Sequence, residues 1–283
     1  MKPHFIAVLT VLALGRILLP VQAQQRGPII DMHQHTQPDE GVQSVVAVMD
    51  EFHVVKAFLS GWLLEDVYSW TAAAPGRFIP SPLFPGREGG FPDIDSLRAE
   101  YLAGRLQGMG EITAQYAGIA ADDPRLEPFF ALAEEFDVPV LIHHHGTAGP
   151  SEQFRISLGH PEQLEEVLVR HPTLRIYIEQ SGFPFLDETI ALMYRYPNVY
   201  GDLSWHQNPR EIWEWYLHRL MDAGLGERLM FGTDGGPSQI PQAVEAIESA
   251  SFLTDEQKAD IFYNNAARFL RLSDEEIARH HGR

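Results

Sequence analysis

The sequence contains no cysteine among its 283 residues. Disulfides, thiolate metal ligands and a cysteine nucleophile are therefore excluded. If the protein binds a metal ion, the side-chain ligands must come from histidine, aspartate and glutamate.

Basic residues are also scarce, since 21 lysines and arginines face 39 aspartates and glutamates and give a formal net charge of −18. Such a surface repels phosphate groups, so we expect neither nucleic acid nor an anionic membrane as a partner. The acidity is typical of a solvated surface, and it weakly favours a small-molecule substrate that is neutral or cationic. A homo-oligomer is left open.

The sequence lacks a convincing membrane span. Its amino terminus carries the apolar stretch FIAVLTVLALG after a positively charged start. This stretch is short of the roughly 20 apolar residues of a spanning helix, and Arg16 interrupts it. A small residue, Ala23, follows at the position that signal peptidase accepts. We predict a signal peptide over residues 1–23 and an exported mature domain over residues 24–283, in the bacterial periplasm and free of the membrane after cleavage. A membrane anchor is the alternative.

After this segment, short runs rich in Val, Ile and Leu alternate with amphipathic stretches at intervals of roughly 20 to 35 residues. Eight such pairs occur, from PIIDMH to RLMFGTD, and TDEQKADIFYNNAARFL follows them as a closing helix. Near-continuous apolar strands are typical of parallel sheets that are buried on both faces. The pattern predicts an α/β fold, a single (β/α)8 TIM barrel with an additional C-terminal helix; a doubly wound open sheet is the rival.

Polar residues that could carry chemistry recur at the carboxyl ends of the predicted strands, where barrel enzymes place their active sites. The seven are His33, His35, Glu111, His143, Gln180, His206 and Asp234. His33 and His35 are two residues apart, so in an extended strand both point to the same side. Ionisable groups gathered at one barrel mouth need a partner such as a divalent cation.

The ordered motifs IIDMHQH, GMGEI, PVLIHHHG, LRIYIEQSGFPF, NVYGDLSW, LMFGTD and FYNNAARFLRL span Ile29 to Leu272. This set resembles the amidohydrolase superfamily, in particular its amidohydrolase-related branch of metal-dependent hydrolases and decarboxylases. The resemblance implies metal ligands at four positions and a shared carboxylate ligand of two-metal relatives at a fifth. The four are His33, His35, His143 and Asp234, and the fifth is Glu111.

One position departs from that family pattern. Relatives usually have a histidine at the end of strand six, where this chain has Gln180. An amide oxygen is a weak ligand and cannot accept a proton near pH 7. We therefore expect one tightly bound metal, most simply Zn²⁺, with Mn²⁺ or another divalent ion as alternatives. His144, His145 or His206 could substitute for the missing imidazole.

Three imidazoles and one carboxylate can hold Zn²⁺ and leave a position for water, whose pKa then falls to about 7. Asp234 would take the proton of that water and pass it to the leaving group, which predicts hydrolysis of a small amide, ester or lactone. A non-oxidative decarboxylase and a non-catalytic metal-binding descendant remain alternatives. A serine mechanism is disfavoured because no GxSxG motif occurs.

The substrate cannot be read from the sequence, but several side chains near the predicted rim could contact it. Trp62, Phe183 and Trp205 could form an apolar wall, and Arg155 could meet a substrate carboxylate. Gln180 and His206 complete this set of candidate substrate-binding residues.

Overall fold

The structure is a computed structural model that describes residues 26–37, 40–86, 90–146, 151–204 and 209–282. The predicted signal peptide lies outside the described residues. So do two predicted substrate-binding residues, Trp205 and His206.

The described chain alternates strands with helices, as predicted. The strands are β1 (Ile29–His35), β2 (Val54–Gly61), β3 (Phe78–Pro82), β4 (Met109–Ile112), β5 (Val140–Ile142), β6 (Ile176–Ile178), β7 (Val199–Asp202) and β8 (Leu229–Met230). The helices that follow them are α1 (Val42–Glu51), α2 (Leu64–Ala73), α3 (Ile94–Leu102), α4 (Glu127–Glu135), α5 (Glu165–Arg170), α6 (Leu186–Arg195), α7 (Arg210–Asp222) and α8 (Ile240–Glu248).

All strand pairs are parallel and follow chain order, with β1 to β3 in one sheet and β4 to β8 in another. Two isolated bridges, Gln34 with Gly235 and Phe84 with Ile112, join the two sheets. The sheets therefore form one ring, and the predicted (β/α)8 barrel is confirmed.

Two apolar clusters form the core. The larger one fills the layer between the strands and the surrounding helices. The smaller one takes residues such as Phe58, Leu141 and Tyr177 from the strands and Tyr263 and Phe269 from the C-terminal segment. This inner cluster fills the barrel, so the fold has a packed interior rather than a pore.

The C-terminal segment differs in detail from the predicted closing helix. It forms α9 (Asp255–Ala259), a π-helical turn over Asp260–Asn264, and α10 (Asn265–Leu270). A further helix, α11 (Asp274–His280), was not predicted as a separate element. Its sequence signal is a capping box, in which Ser273 and Glu276 bond reciprocally to each other's backbone N–H groups.

Several strands are shorter than predicted, and the difference matters for the site. The apolar run of β5 ends at Ile142 and that of β6 at Ile178. The polar residues after them therefore leave the hydrogen-bonded ladder and lie in loops at the carboxyl end of the barrel. No helix within the described ranges is long and apolar enough to cross a membrane.

Candidate metal centre

The carboxyl end of the barrel gathers two groups of potential metal ligands. We call His33, His35 and Asp234 the first triad, and His143, His145 and Glu179 the second triad; within each, one donor atom per residue lies within 4.8 Å of the others. Glu111, at the end of β4, contacts both triads.

The two histidines of the first triad lie close to the carboxylates of both Asp234 and Glu111. Asp234 Oδ1 lies 3.5 Å from His33 Nε2 and 3.4 Å from His35 Nε2. Glu111 Oε2 lies 3.7 Å and 3.2 Å from the same two nitrogens. Four ligands bound tetrahedrally at 2.0–2.2 Å from Zn²⁺ are about 3.3–3.6 Å apart. The four imidazole–carboxylate distances are therefore close to that spacing, and the three residues of the first triad can hold a divalent cation between them.

The Nδ1 atoms of His33 and His35 each have a polar partner, as the second ring nitrogen of a metal-ligating histidine usually does. His33 Nδ1 donates to Asp202 Oδ2 at 3.0 Å, and His35 Nδ1 lies 3.0 Å from Ser60 Oγ. Such partners leave Nε2 as the donor atom toward a metal. His33 Nε2 is buried and makes no hydrogen bond to any described residue. An orphaned imidazole nitrogen inside a barrel is the feature that a bound cation would explain.

Asp31 of β1 joins its own strand to Thr233, in the segment that follows β8. Its Oδ1 accepts from the backbone N–H of His33 at 3.0 Å and of Thr233 at 3.1 Å, and its Oδ2 accepts from Thr233 Oγ1 at 2.8 Å. Burial raises the pKa of Asp31 to about 7, although these hydrogen bonds act to lower it. The register of β1 with β2 also shifts between Asp31 and Gln34. One buried carboxyl group thereby holds His33 and Thr233, the residue before Asp234.

The second triad is more deeply buried than the first. Its three residues are 2–3% exposed. Glu179 presents Oε2 to His143 Nδ1 at 2.5 Å and Oε1 to His145 Nε2 at 3.2 Å. Glu111 Oε1 lies 3.0 Å from His143 Nδ1, so the two oxygens of Glu111 face different triads.

The electrostatics of this cluster favour positive charge. Burial lowers the pKa of His143, but the carboxylates of Glu179 and Glu111 outweigh burial and raise it to about 10. Burial also lowers the pKa of His33, but the carboxylates of Asp234 and Asp202 outweigh burial and raise this pKa. Burial raises the pKa of Asp234, but His33 and His35 outweigh burial and lower this pKa. Such a donor set stabilises any cation placed within it, including a divalent metal ion.

Gln180 lies beside the first triad rather than within it. Its Nε2 donates to Asp234 Oδ2 at 3.3 Å, and its backbone N–H donates to Asp202 Oδ1 at 2.9 Å. Gln180 and Ser181 both have left-handed backbone angles, as does Asp234. Non-glycine residues in this region cluster at functional sites. The side chain of Glu179, the residue before this turn, contacts the histidines of the second triad.

The structure brings the predicted ligands together in an unexpected grouping. His33, His35 and Asp234 share one triad, whereas His143 lies with His145, one of the three histidines considered as substitutes, and with Glu179, which the sequence did not single out as a ligand. Asp202 was also missed; its only sequence signal is an aspartate at the end of the strand motif VYGD.

The remaining sequence candidates lie away from the cluster. His144 Nε2 donates to the carbonyl oxygen of His160 at 2.8 Å, and burial lowers the pKa of His144 to about 4. Arg155 is exposed and donates to carbonyl groups of its own loop. Trp62 follows β2, is 57% exposed and lies near Gly86.

A sequence profile described as Amidohydrolase matches residues 30–272 of the chain. No curated protein matches the chain significantly. Several solved structures are similar in fold. An uncharacterised TIM-barrel protein from Bordetella bronchiseptica has a TM-score of 0.64 at 20% identity, over 90% of this chain and 100% of that chain.

Two further structures carry descriptions of activity. A probable 2-pyrone-4,6-dicarboxylic acid hydrolase from Acinetobacter baumannii has a TM-score of 0.62 at 15% identity, over 86% of this chain and 99% of that chain. A 5-carboxyvanillate decarboxylase from Novosphingobium aromaticivorans, complexed with manganese, has a TM-score of 0.62 at 15% identity, over 88% of this chain and 97% of that chain. At these identities the likeness shows a shared fold.

Proposed function

Because the chain belongs to the amidohydrolase family, we propose that it is a metal-dependent hydrolase of a small amide, ester or lactone. The observation that carries the proposal is the spacing of four donor atoms. The Nε2 atoms of His33 and His35 each lie 3.2–3.7 Å from one oxygen of Asp234 and one oxygen of Glu111, at the end of the barrel where this fold places catalysis.

These four residues would hold the cation, with Zn²⁺ as the ion that best suits mixed imidazole and carboxylate ligands and Mn²⁺ as the alternative. A divalent cation at this position supplies a Lewis acid that lowers the pKa of water and polarises a substrate carbonyl group. Asp202 and Ser60 keep the two imidazoles in the required orientation.

Asp234 is the proposed general base. Its Oδ1 faces the two histidines, while its Oδ2 accepts a hydrogen bond from Gln180. Burial raises its pKa, but His33 and His35 outweigh burial and lower it, so the carboxylate form is favoured. Asp234 would accept a proton from the attacking water and return it to the leaving group.

The carbon–carbon lyase alternative has weaker support in this chain. The family resemblance implies that decarboxylases of this branch use the histidine at the end of strand six for proton transfer. Here the residues that follow β6 are Glu179, Gln180 and Ser181. An amide such as that of Gln180 cannot take over this role because it does not titrate near pH 7.

The proposal is tested by removing the metal and by replacing the base. Wild-type protein is screened against esters, lactones and amides, and against hydroxybenzoic acids with detection of released CO₂. We expect hydrolysis that is lost with a chelator and restored by Zn²⁺ or Mn²⁺. Asp234→Asn should lower kcat by about 10²–10⁴-fold, the range for general acid–base catalysis.

Asp95→Asn is the matched control, because Asp95 is an exposed aspartate in the first turn of α3. It should leave kcat unchanged. Metal-independent hydrolysis would contradict the proposal. Release of CO₂ from an aromatic acid, with no hydrolysis of any ester, lactone or amide, would replace it with the lyase.

A further inference from the structure

Helix α7 carries large apolar side chains on its solvent-exposed face as well as on its buried face. Trp213, Tyr216 and Leu217 are buried in the larger apolar cluster. On the other face Ile212 is 43% exposed and Trp215 is 54% exposed. Tryptophan buries a large apolar area when it is covered, and it is enriched in protein–protein interfaces. The exposed face of α7 therefore has the composition of an interface core.

A third exposed apolar residue lies at the end of this face. Tyr194 of α6 is 62% exposed, and its hydroxyl donates to the carbonyl oxygen of Ala223 at 2.6 Å. Ala223 is the C-cap of α7, about two turns beyond Trp215. The hydrogen bond holds Tyr194 beside the helix, so exposed apolar side chains run along the length of α7.

Two charged residues flank Trp215 on the same face. Glu211 and Arg219 lie four residues before and four residues after it, so the three side chains form one row along the helix surface. Both are exposed, and neither makes an ion pair or a side-chain hydrogen bond with any residue that the structure describes. The other charged residues of the helix are paired within it, Arg210 with Glu214 and His218 with Asp222.

A row of this kind is complementary to itself. In a two-fold symmetric dimer, every contact between two different residues occurs twice. When two antiparallel helices pack with their rows of residues four apart running alongside each other, the central Trp215 side chains meet near the symmetry axis. Glu211 then faces the partner's Arg219, and Arg219 faces the partner's Glu211. Each unpaired charge thereby gains a partner of opposite sign.

We infer that the exposed face of α7 binds a second copy of this chain in an antiparallel, two-fold symmetric dimer. A second copy is favoured over a lipid surface because Glu211 and Asp222 on this face repel anionic headgroups. It is favoured over an unrelated protein because the charge order of the row is complementary to its own reverse. The contact involves none of the residues of the two triads, so dimerisation is separate from the proposed hydrolase activity.

The dimer is tested by sedimentation equilibrium of protein purified after expression of the full chain. Wild type should have the mass of two chains at micromolar concentration. Trp215→Gln should raise the Kd of the dimer by about 30-fold or more, as for truncation of a central interface tryptophan. Trp62→Gln is the matched control, because Trp62 is 57% exposed but follows β2, and it should leave the Kd unchanged.

Charge exchange tests the antiparallel arrangement. Glu211→Arg places like charges at both ends of the contact, and so does Arg219→Glu, so each variant alone should be monomeric. An equimolar mixture of the two variants has opposite charges at both ends and should form a heterodimer with the mass of two chains. All three α7 substitutions are at exposed positions, so circular dichroism should show the wild-type spectrum.

A monomeric wild type would overturn the inference, whether or not the monomer binds lipid vesicles. A wild-type dimer that persists in Trp215→Gln and in both charge variants would place the interface elsewhere and overturn it as well. A mixture of the two charge variants that stays monomeric would contradict the antiparallel pairing of Glu211 with the partner's Arg219.

Discussion

The two ends of the barrel differ in whether their polar side chains have partners within the protein. At the carboxyl end, buried carboxylates and imidazoles are crowded together, and the Nε2 atoms of His33 and His143 make no hydrogen bond to the described residues. At the amino end, α11 takes part in two pairs of polar groups. Lys56 Nζ lies 3.8 Å from Glu276 Oε1, and the hydroxyl of Tyr263 donates to His280 Nδ1 at 2.9 Å.

This difference indicates that the carboxyl end of the barrel serves ligand binding and that the amino end serves stability. Unsatisfied polar groups destabilise a fold and persist where a ligand completes them. Paired groups at the amino end contribute to the native state without any ligand. Substitutions at the carboxyl end should therefore change metal binding and turnover, and those at the amino end should change stability alone.

The largest effect is expected for Asp202, which orients His33 from β7. Asp202→Asn should weaken Zn²⁺ binding at the first triad by about 10–100-fold, because the amide no longer draws the Nδ1 proton of His33. Competition with a chromogenic chelator measures this affinity. An unchanged affinity would show that His33 does not depend on Asp202 for its orientation.

At the opposite end, Ser273→Ala removes the capping box of α11. The free energy of unfolding should fall by about 1 kcal/mol, which is typical for the loss of a helix N-cap. Denaturant unfolding measures it, and kcat/KM should be unchanged. A loss of activity without a loss of stability would break the proposed division between the two ends.

The smallest effect is a pH dependence of stability at the same end. Burial is the largest cause that lowers the pKa of His280, from its ordinary value of 6.5 to about 4. The nearby positive charges of Lys56, Arg279 and His281 lower it further, and the carboxylate of Glu276 opposes the shift. Between these two values the unfolded chain binds a proton at His280 that the folded chain does not. Stability should therefore fall as the pH falls from about 6.5 toward 4.

His280→Gln should reduce this slope when the free energy of unfolding is measured from pH 7 to pH 4.5. Tyr263→Phe is the matched control, because it removes the hydrogen bond to His280 and leaves the imidazole in place. An equal slope in wild type and His280→Gln would mean that other groups cause the acid sensitivity.

The sequence predicted the barrel and most of the cluster because strand ends are marked by apolar runs that stop at polar residues. It could not predict the role of Glu179. The run RIYIEQS does not show that β6 ends at Ile178, nor that Gln180 and Ser181 take left-handed angles and leave Glu179 facing the cluster. Asp202 was missed for a related reason, since a hydrogen bond between β7 and β1 joins residues 169 positions apart.

The most direct measurement is anomalous diffraction from crystals of the metal-loaded protein, recorded at the absorption edge of zinc. We expect an anomalous peak about 2.0–2.2 Å from His33 Nε2, His35 Nε2 and the carboxylate of Asp234. Absence of anomalous density between these three side chains, with zinc present in the crystal, would contradict a metal centre at the first triad.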